Sequence, residues 1–115
     1  MRSAFIAVTF YTALAGPALA QPFYVGDWAY PGGSCVFDQS ASGPIRLSET
    51  TFWGAETKCD LTNPVEIRDM HGILFDMECW GEGMQYTERM LLLQEYNGSL
   101  TTHSRGYTNT YTQCN

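Results

Sequence analysis

Residues 73–80 read Ile-Leu-Phe-Asp-Met-Glu-Cys-Trp, and this stretch decides the fold class. Ile73, Phe75, Met77 and Cys79 fall on one face of an extended chain, while Asp76 and Glu78 point the other way. That period of two marks a half-buried β-strand. Gly81-Glu82-Gly83 predicts a turn, and residues 84–96 follow as a long segment, apolar at Met90-Leu91-Leu92-Leu93. The alternation is blurred at those four residues, where a helix competes. Asn97-Gly98 argues for the strand, because Asn-Gly is the dipeptide of the type I′ hairpin and its positive φ values match strand twist. A two-residue loop pairs Tyr96 with Ser99 and Glu95 with Leu100, and places Leu91, Leu93 and Leu100 on the inward face.

Outward from this hairpin the same signs recur. Residues 23–30, 45–48, 51–53, 56–61, 65–68 and 108–114 read as further strands, rich in aromatic and β-branched side chains. Pro31-Gly32-Gly33-Ser34, a polar loop over 38–44, and a turn at Asn63-Pro64 separate them. The expectation is an all-β domain: a small antiparallel meander barrel or a two-sheet sandwich of about eight short strands. A barrel is preferred, since closure leaves no open edge to aggregate.

Residues 1–20 read as a cleaved export signal. Arg2 supplies the positive start, residues 4–15 an apolar run too short to span a bilayer, Gly16-Pro17 a break, and Ala18-Leu19-Ala20 the cleavage site. Residues 21–115 then form a single β domain. A chain that short buries only ~60–65% of its unfolded surface, so its core needs help. Four cysteines, Cys35, Cys59, Cys79 and Cys114, supply it. Export to a secreted or periplasmic compartment permits disulfides, and the absence of any C-x-x-C argues against a zinc ribbon or a thioredoxin-type site. Of the three possible pairings, Cys35–Cys114 with Cys59–Cys79 is expected, because the first joins the end of an early strand to the last residue but one, as barrel closure requires.

The chain carries 12 acidic and 6 basic residues, a formal net charge of −6. With no basic cluster, this argues against nucleic acid and anionic membrane surfaces. No apolar run after residue 20 reaches the ~18 residues of a membrane span.

Several side chains invite a sharper reading. Trp28 is expected to plug one end of the core, with Gly26 making room for its ring; Trp53 is placed in the core by preference. Trp80 beside Gly81 is either a lid over the core or a binding anchor, since tryptophan carries large area at low entropy cost. Glu82 between two glycines is an exposed turn tip, or accepts backbone N–H bonds within its loop. Catalysis there needs a second carboxylate or a histidine, and Asp76 and Glu78 lie on the outer face of their strand. His71 and His103 are far apart with no H-x-H spacing, and Asp76, Glu78 and Glu66 lack a calcium-loop pattern, so no metal or cofactor is expected. Ser34 lacks a nucleophile elbow, and the hairpin turn explains the Asn97-Gly98-Ser99 sequon.

The order Gly26-Asp27-Trp28, Cys35, Gly54-Ala55-Glu56-x-x-Cys59, Cys79-Trp80-Gly81-Glu82-Gly83 and Tyr111-x-x-Cys114 resembles a set of small uncharacterised exported proteins of alphaproteobacteria. The resemblance spans most of residues 21–115 and implies a periplasmic or secreted β domain with paired cysteines; it brings no activity with it. Gly26-x-Trp28 is separately similar to the opening of lipocalin-like barrels and of small bacterial protease-inhibitor barrels. A full lipocalin is longer, so a ligand-sized cavity is not expected.

Two function classes follow. The first is a non-enzymatic, monomeric binding module, such as an inhibitor of an exported enzyme, whose acidic surface steers toward a basic partner and whose contact face is Trp80, Gly81, Glu82 and Gly83. The second is a carrier of a small apolar ligand. A small hydrolase is third. Cavity volume separates the first two, a lined void of ~300 Å3 or more pointing to a carrier.

Overall fold

The computed structural model describes residues 3–9 and 21–115. The cleavage site and most of the expected export signal lie outside the described residues; residues 3–9 are exposed and carry no regular secondary structure. Eight strands follow: β1 (Gly26–Ala29), β2 (Ile45–Leu47), β3 (Thr51–Gly54), β4 (Thr57–Glu66), β5 (Gly72–Gly81), β6 (Met84–Gln94), β7 (Leu100–Ser104) and β8 (Tyr107–Gln113). Each pairs antiparallel with the next, and β1 pairs with β8 through Trp28↔Gln113 and Ala29↔Thr112, closing a barrel in meander order. The sandwich is thereby excluded and the barrel shown.

The pattern of residues 73–80 holds. Phe75, Met77 and Cys79 are buried in the lumen and Ile73 packs against them, while Asp76 and Glu78 face out. Met90 and Leu92 on β6 and Leu100 on β7 are also buried inside, whereas Leu91 and Leu93 are only half-buried. This corrects the expected register. The pairing is Gln94↔Leu100, one residue short of Glu95 with Leu100. Gly98 N–H donates to Glu95 O at 2.9 Å, and Gly98 takes the loop's positive φ of 88°. The chain therefore turns at Tyr96-Asn97 and adds Gly98 as a bulge residue, instead of making a type I′ turn at Asn97-Gly98. One extra residue exchanges the faces of every side chain beyond it, so Leu92 points in and Leu91 and Leu93 point out.

Type I′ geometry occurs at two other hairpins. Glu82-Gly83 joins Gly81↔Met84 with φ values of 51° and 74°, and Arg105-Gly106 joins Ser104↔Tyr107 with 50° and 81°. A second correction concerns Asn63-Pro64, expected as a turn between two strands. Both residues lie within β4, where the register shifts between Thr62 and Val65 and Asn63 has a φ of 51°. A bulge leaves unpaired positions, and proline without its N–H is tolerated there. β1 is also shorter than expected, because a turn closed by Val25 N–H to Pro22 O at 3.1 Å precedes it.

That turn seals one end of the barrel. Tyr24 sets its ring edge-on to Phe75 at 5.5 Å and donates its hydroxyl to Glu49 O at 2.9 Å. Trp28, 1% exposed, fills the lumen above it and donates Nε1–H to Tyr24 O at 2.8 Å, so its buried polar atom is satisfied. Leu47, Leu61, Leu92 and Leu100 complete the packing. Burying each of these leucines stabilises by roughly 1.5–3 kcal/mol relative to leaving it exposed.

Both expected disulfides form. Cys59 and Cys79 are register partners on β4 and β5, buried in the lumen. Cys35 in the β1–β2 loop joins Cys114 just past β8, with Cα atoms 5.7 Å apart. The loop lies over the outside of the barrel, where Phe37 sits 3.8 Å beneath the Arg46 guanidinium. Restricting the unfolded chain, the bridges contribute about 3 and about 4.5 kcal/mol on the chain-entropy scale, the longer loop the more.

Candidate functional site

The end of the barrel opposite Tyr24 is open. The β3–β4, β5–β6 and β7–β8 turns ring its rim, and the lumen beneath them holds a cavity of about 580 Å3. Ile45, Met77, Met90 and Thr102 line its deep part, and Tyr30, Phe52, Tyr86, Tyr107 and Tyr111 its walls. This corrects the expectation that so short a chain has no ligand-sized cavity. Beyond Met90 the apolar packing continues only through the Cys59–Cys79 bridge, because toward the rim the inward positions of β7 and β8 carry Ser104, Tyr107 and Asn109, all outside the buried core.

One carboxylate stands inside, facing a guanidinium at the rim. Glu88 on β6 shares the inward parity of Met90 and Leu92, and its side chain is 18% exposed. The Ser104 hydroxyl donates to its carboxylate. Arg105 Nε lies 3.9 Å from Glu88 Oε2, with the guanidinium 5.4 Å over the Tyr86 ring. The type I′ turn at Arg105-Gly106 is what holds that guanidinium at the rim. Deeper, burial and then the adjoining Tyr30 hydroxyl push the Tyr111 phenol far above its ordinary value of 10.0, and the two rings lie 4.9 Å apart. The chemistry on offer is thioether and aromatic contact below, and hydrogen bonding in both directions at one point near the rim.

The residues singled out from the sequence are distributed over two surfaces. Gly81 lines the cavity, and a Cβ there would come within 2.8 Å of Glu56 O and of Thr57 Oγ1, so the wall admits only glycine without shifting. Glu82 and Gly83 are exposed at the rim. Trp80, 41% exposed, points away from the lumen, as does half-buried Trp53, which corrects its expected place in the core. Phe52 takes the inward position on β3 and pairs with Cys59, so alternation sends Trp53 out. Trp28 is the core plug expected, with Gly26 beneath its indole nitrogen. His71 stacks on Phe23 at the sealed end and contacts Gln94 Oε1 at 3.1 Å, while His103 contacts Thr108 Oγ1 at 2.7 Å on the outer face. Neither approaches Glu82 or Ser34 in any interaction of the described residues. Sequence reasoning missed Glu88, Ser104 and Arg105. The signal was the period-two run Glu88, Met90, Leu92, which carries a carboxylate inward with two apolar residues.

A larger concavity, about 1060 Å3, lies outside the sealed end against Phe23, Pro64, Ile67, Met70 and His71. Glu49, Glu66 and His71 on its walls form no ion pair with one another. It therefore lacks a facing carboxylate and guanidinium like Glu88 and Arg105 at the lumen. No family model, curated protein or solved structure matches this chain.

Proposed function

We propose that this protein is an exported, non-enzymatic binding protein that holds a small amphipathic molecule in the open half of its barrel. The observation that carries the reading is the 580 Å3 cavity with Glu88 inside it. A void of that size suits a drug-sized ligand, and few convergent polar groups in an otherwise apolar and aromatic wall fix orientation. The apolar body of the ligand lies on Met77 and Met90, and its hydrogen-bonding head meets Glu88 and Arg105. Secretion or a periplasmic location is supported by the two disulfides, which persist in oxidising compartments. A protein partner docking on the rim at Glu82 and Gly83 is the second reading, favoured by the exposure of both residues beside the cavity mouth.

The test is uptake of the neutral fluorophore phenylnaphthylamine by the oxidised protein, alongside an Asn109→Trp variant. Asn109 is exposed, lines the mouth and lies opposite Thr102, so an indole there obstructs the lumen without disturbing the core. Saturable uptake by the native protein that Asn109→Trp abolishes supports the carrier. No uptake, or equal uptake by the variant, rules it out and leaves the rim.

A further inference from the structure

One row of the barrel's outer face runs Arg46, Trp53, Lys58, Trp80 and Gln85 across β2 to β6, each residue opposite the next in register. From Arg46 to Trp80 the row alternates cation and aromatic ring, and neutral Gln85 ends it. Arg46 is already engaged, donating to Asp27 at 2.7 and 2.9 Å and lying over Phe37. Lys58 is the chain's single lysine, is exposed, and forms no ion pair among the described residues. The neighbouring row runs Thr51, Asp60, Glu78 and Thr87. Asp60 and Glu78 are carboxylates set directly opposite each other, also without an ion pair among the described residues. Like charges in that position destabilise a sheet, so the arrangement has no structural benefit of its own.

We propose that this face binds an extended, neutral, β-linked polysaccharide lying across the strands. Trp53 and Trp80 stand on alternate strands of one row, with Lys58 on the strand between them. Sugar rings of such a chain stack on the two indoles, and the stretch between them follows the curve of the wall over Lys58. The C–H face of a sugar suits the apolar indole surface. Its hydroxyl edge both donates and accepts, matched by the acceptors Asp60 and Glu78 and the donor Lys58. A polyanion is disfavoured by those carboxylates and by the net charge of −6. An apolar peptide strand would bury both acids unpaired, which is costly. Trp53, Lys58 and Trp80 take no part in lining the lumen, so this site and the one proposed above can fail independently.

The experiment is depletion of the oxidised full chain by microcrystalline cellulose and by chitin, with soluble polygalacturonate as the anionic comparison. Retention on at least one neutral polymer is expected. Trp80→Ala and Trp53→Ala should each weaken it about tenfold or more, Lys58→Ala less, and Asn109→Trp not at all. Trp80 is exposed, so Trp80→Ala should keep the native melting temperature and decides the matter even if Trp53→Ala fails to fold. Absence of retention on both neutral polymers, binding to polygalacturonate alone, or retention unchanged in a folded Trp80→Ala would overturn the proposal.

Discussion

The two halves of this barrel are built from the same strands and solve different problems. At the sealed end, inward positions carry Trp28, Leu47, Phe75, Leu92 and Leu100, all within the buried core. At the open end, inward positions of those same sheets carry Thr102, Ser104, Tyr107 and Asn109 around Glu88 and Arg105. A small β domain needs one well-packed layer and two disulfides to be stable. Once the sealed half and the two bridges supply that, the rest of the lumen is free to hold something else. The difference teaches that burial along a strand is decided layer by layer, and that a mean over the strand conceals it.

The largest effect should come from the sealed end. Trp28→Ala removes the plug and its hydrogen bond to Tyr24 O, and is expected to cost about 3–5 kcal/mol. Tyr107→Ala at the open end, where the ring is 76% exposed, should stay within about 0.5 kcal/mol. Denaturant titration of the two variants checks the contrast, and similar losses would show that the open half also belongs to the stabilising core.

A second pair sharpens the comparison across the wall instead of along it. Leu92→Ala should cost about 2–5 kcal/mol, because the side chain is wholly buried. Leu91→Ala, one residue earlier on the outer face and half-buried, should cost about 1 kcal/mol or less. Inverted values would restore the register that Asn97-Gly98 suggested.

The smallest effect is in pH dependence. Tyr111 is the deepest phenol of the open half, and its raised pKa means that folding favours the neutral form. Its contribution is fully present below the unfolded value near 10.0 and is lost as pH rises from there toward the folded value. Stability of the native protein should therefore fall above that pH, and less steeply in Tyr111→Phe, measured by alkaline melts. Equal slopes would place Tyr111 in solvent contact and the cavity deeper than its ring.

What could be read in the sequence followed from local rules. The alternation of residues 73–80, the turns at Pro31-Gly32-Gly33-Ser34 and Gly81-Glu82-Gly83 and the cysteine positions needed only local turn chemistry, the period of a strand and the reach of a disulfide, and each held. Where local cues competed, they failed. Asn97-Gly98 supports either a two-residue loop or a longer one with a bulge, and the choice depends on which of Leu91 and Leu92 finds a partner across the lumen. Pro64 reads as a break until a neighbouring strand accommodates it as a bulge. Trp53 reads as core by its hydrophobicity, and only the inward claim of Phe52 sends it out.

By itself the sequence determined that the chain would be all-β, that its strands would run as a meander, and that two disulfides would tie it, because these depend on contacts between residues near in sequence or on few, strongly constrained partners. Tertiary structure alone decided between the preferred barrel and the sandwich, which half of the barrel would be filled, and that Trp53, Lys58 and Trp80 form one outer row. Those facts depend on the register between paired strands, β1 with the distant β8 included. A single added residue in one hairpin moves every side chain beyond it to the other face, and no local pattern records that shift.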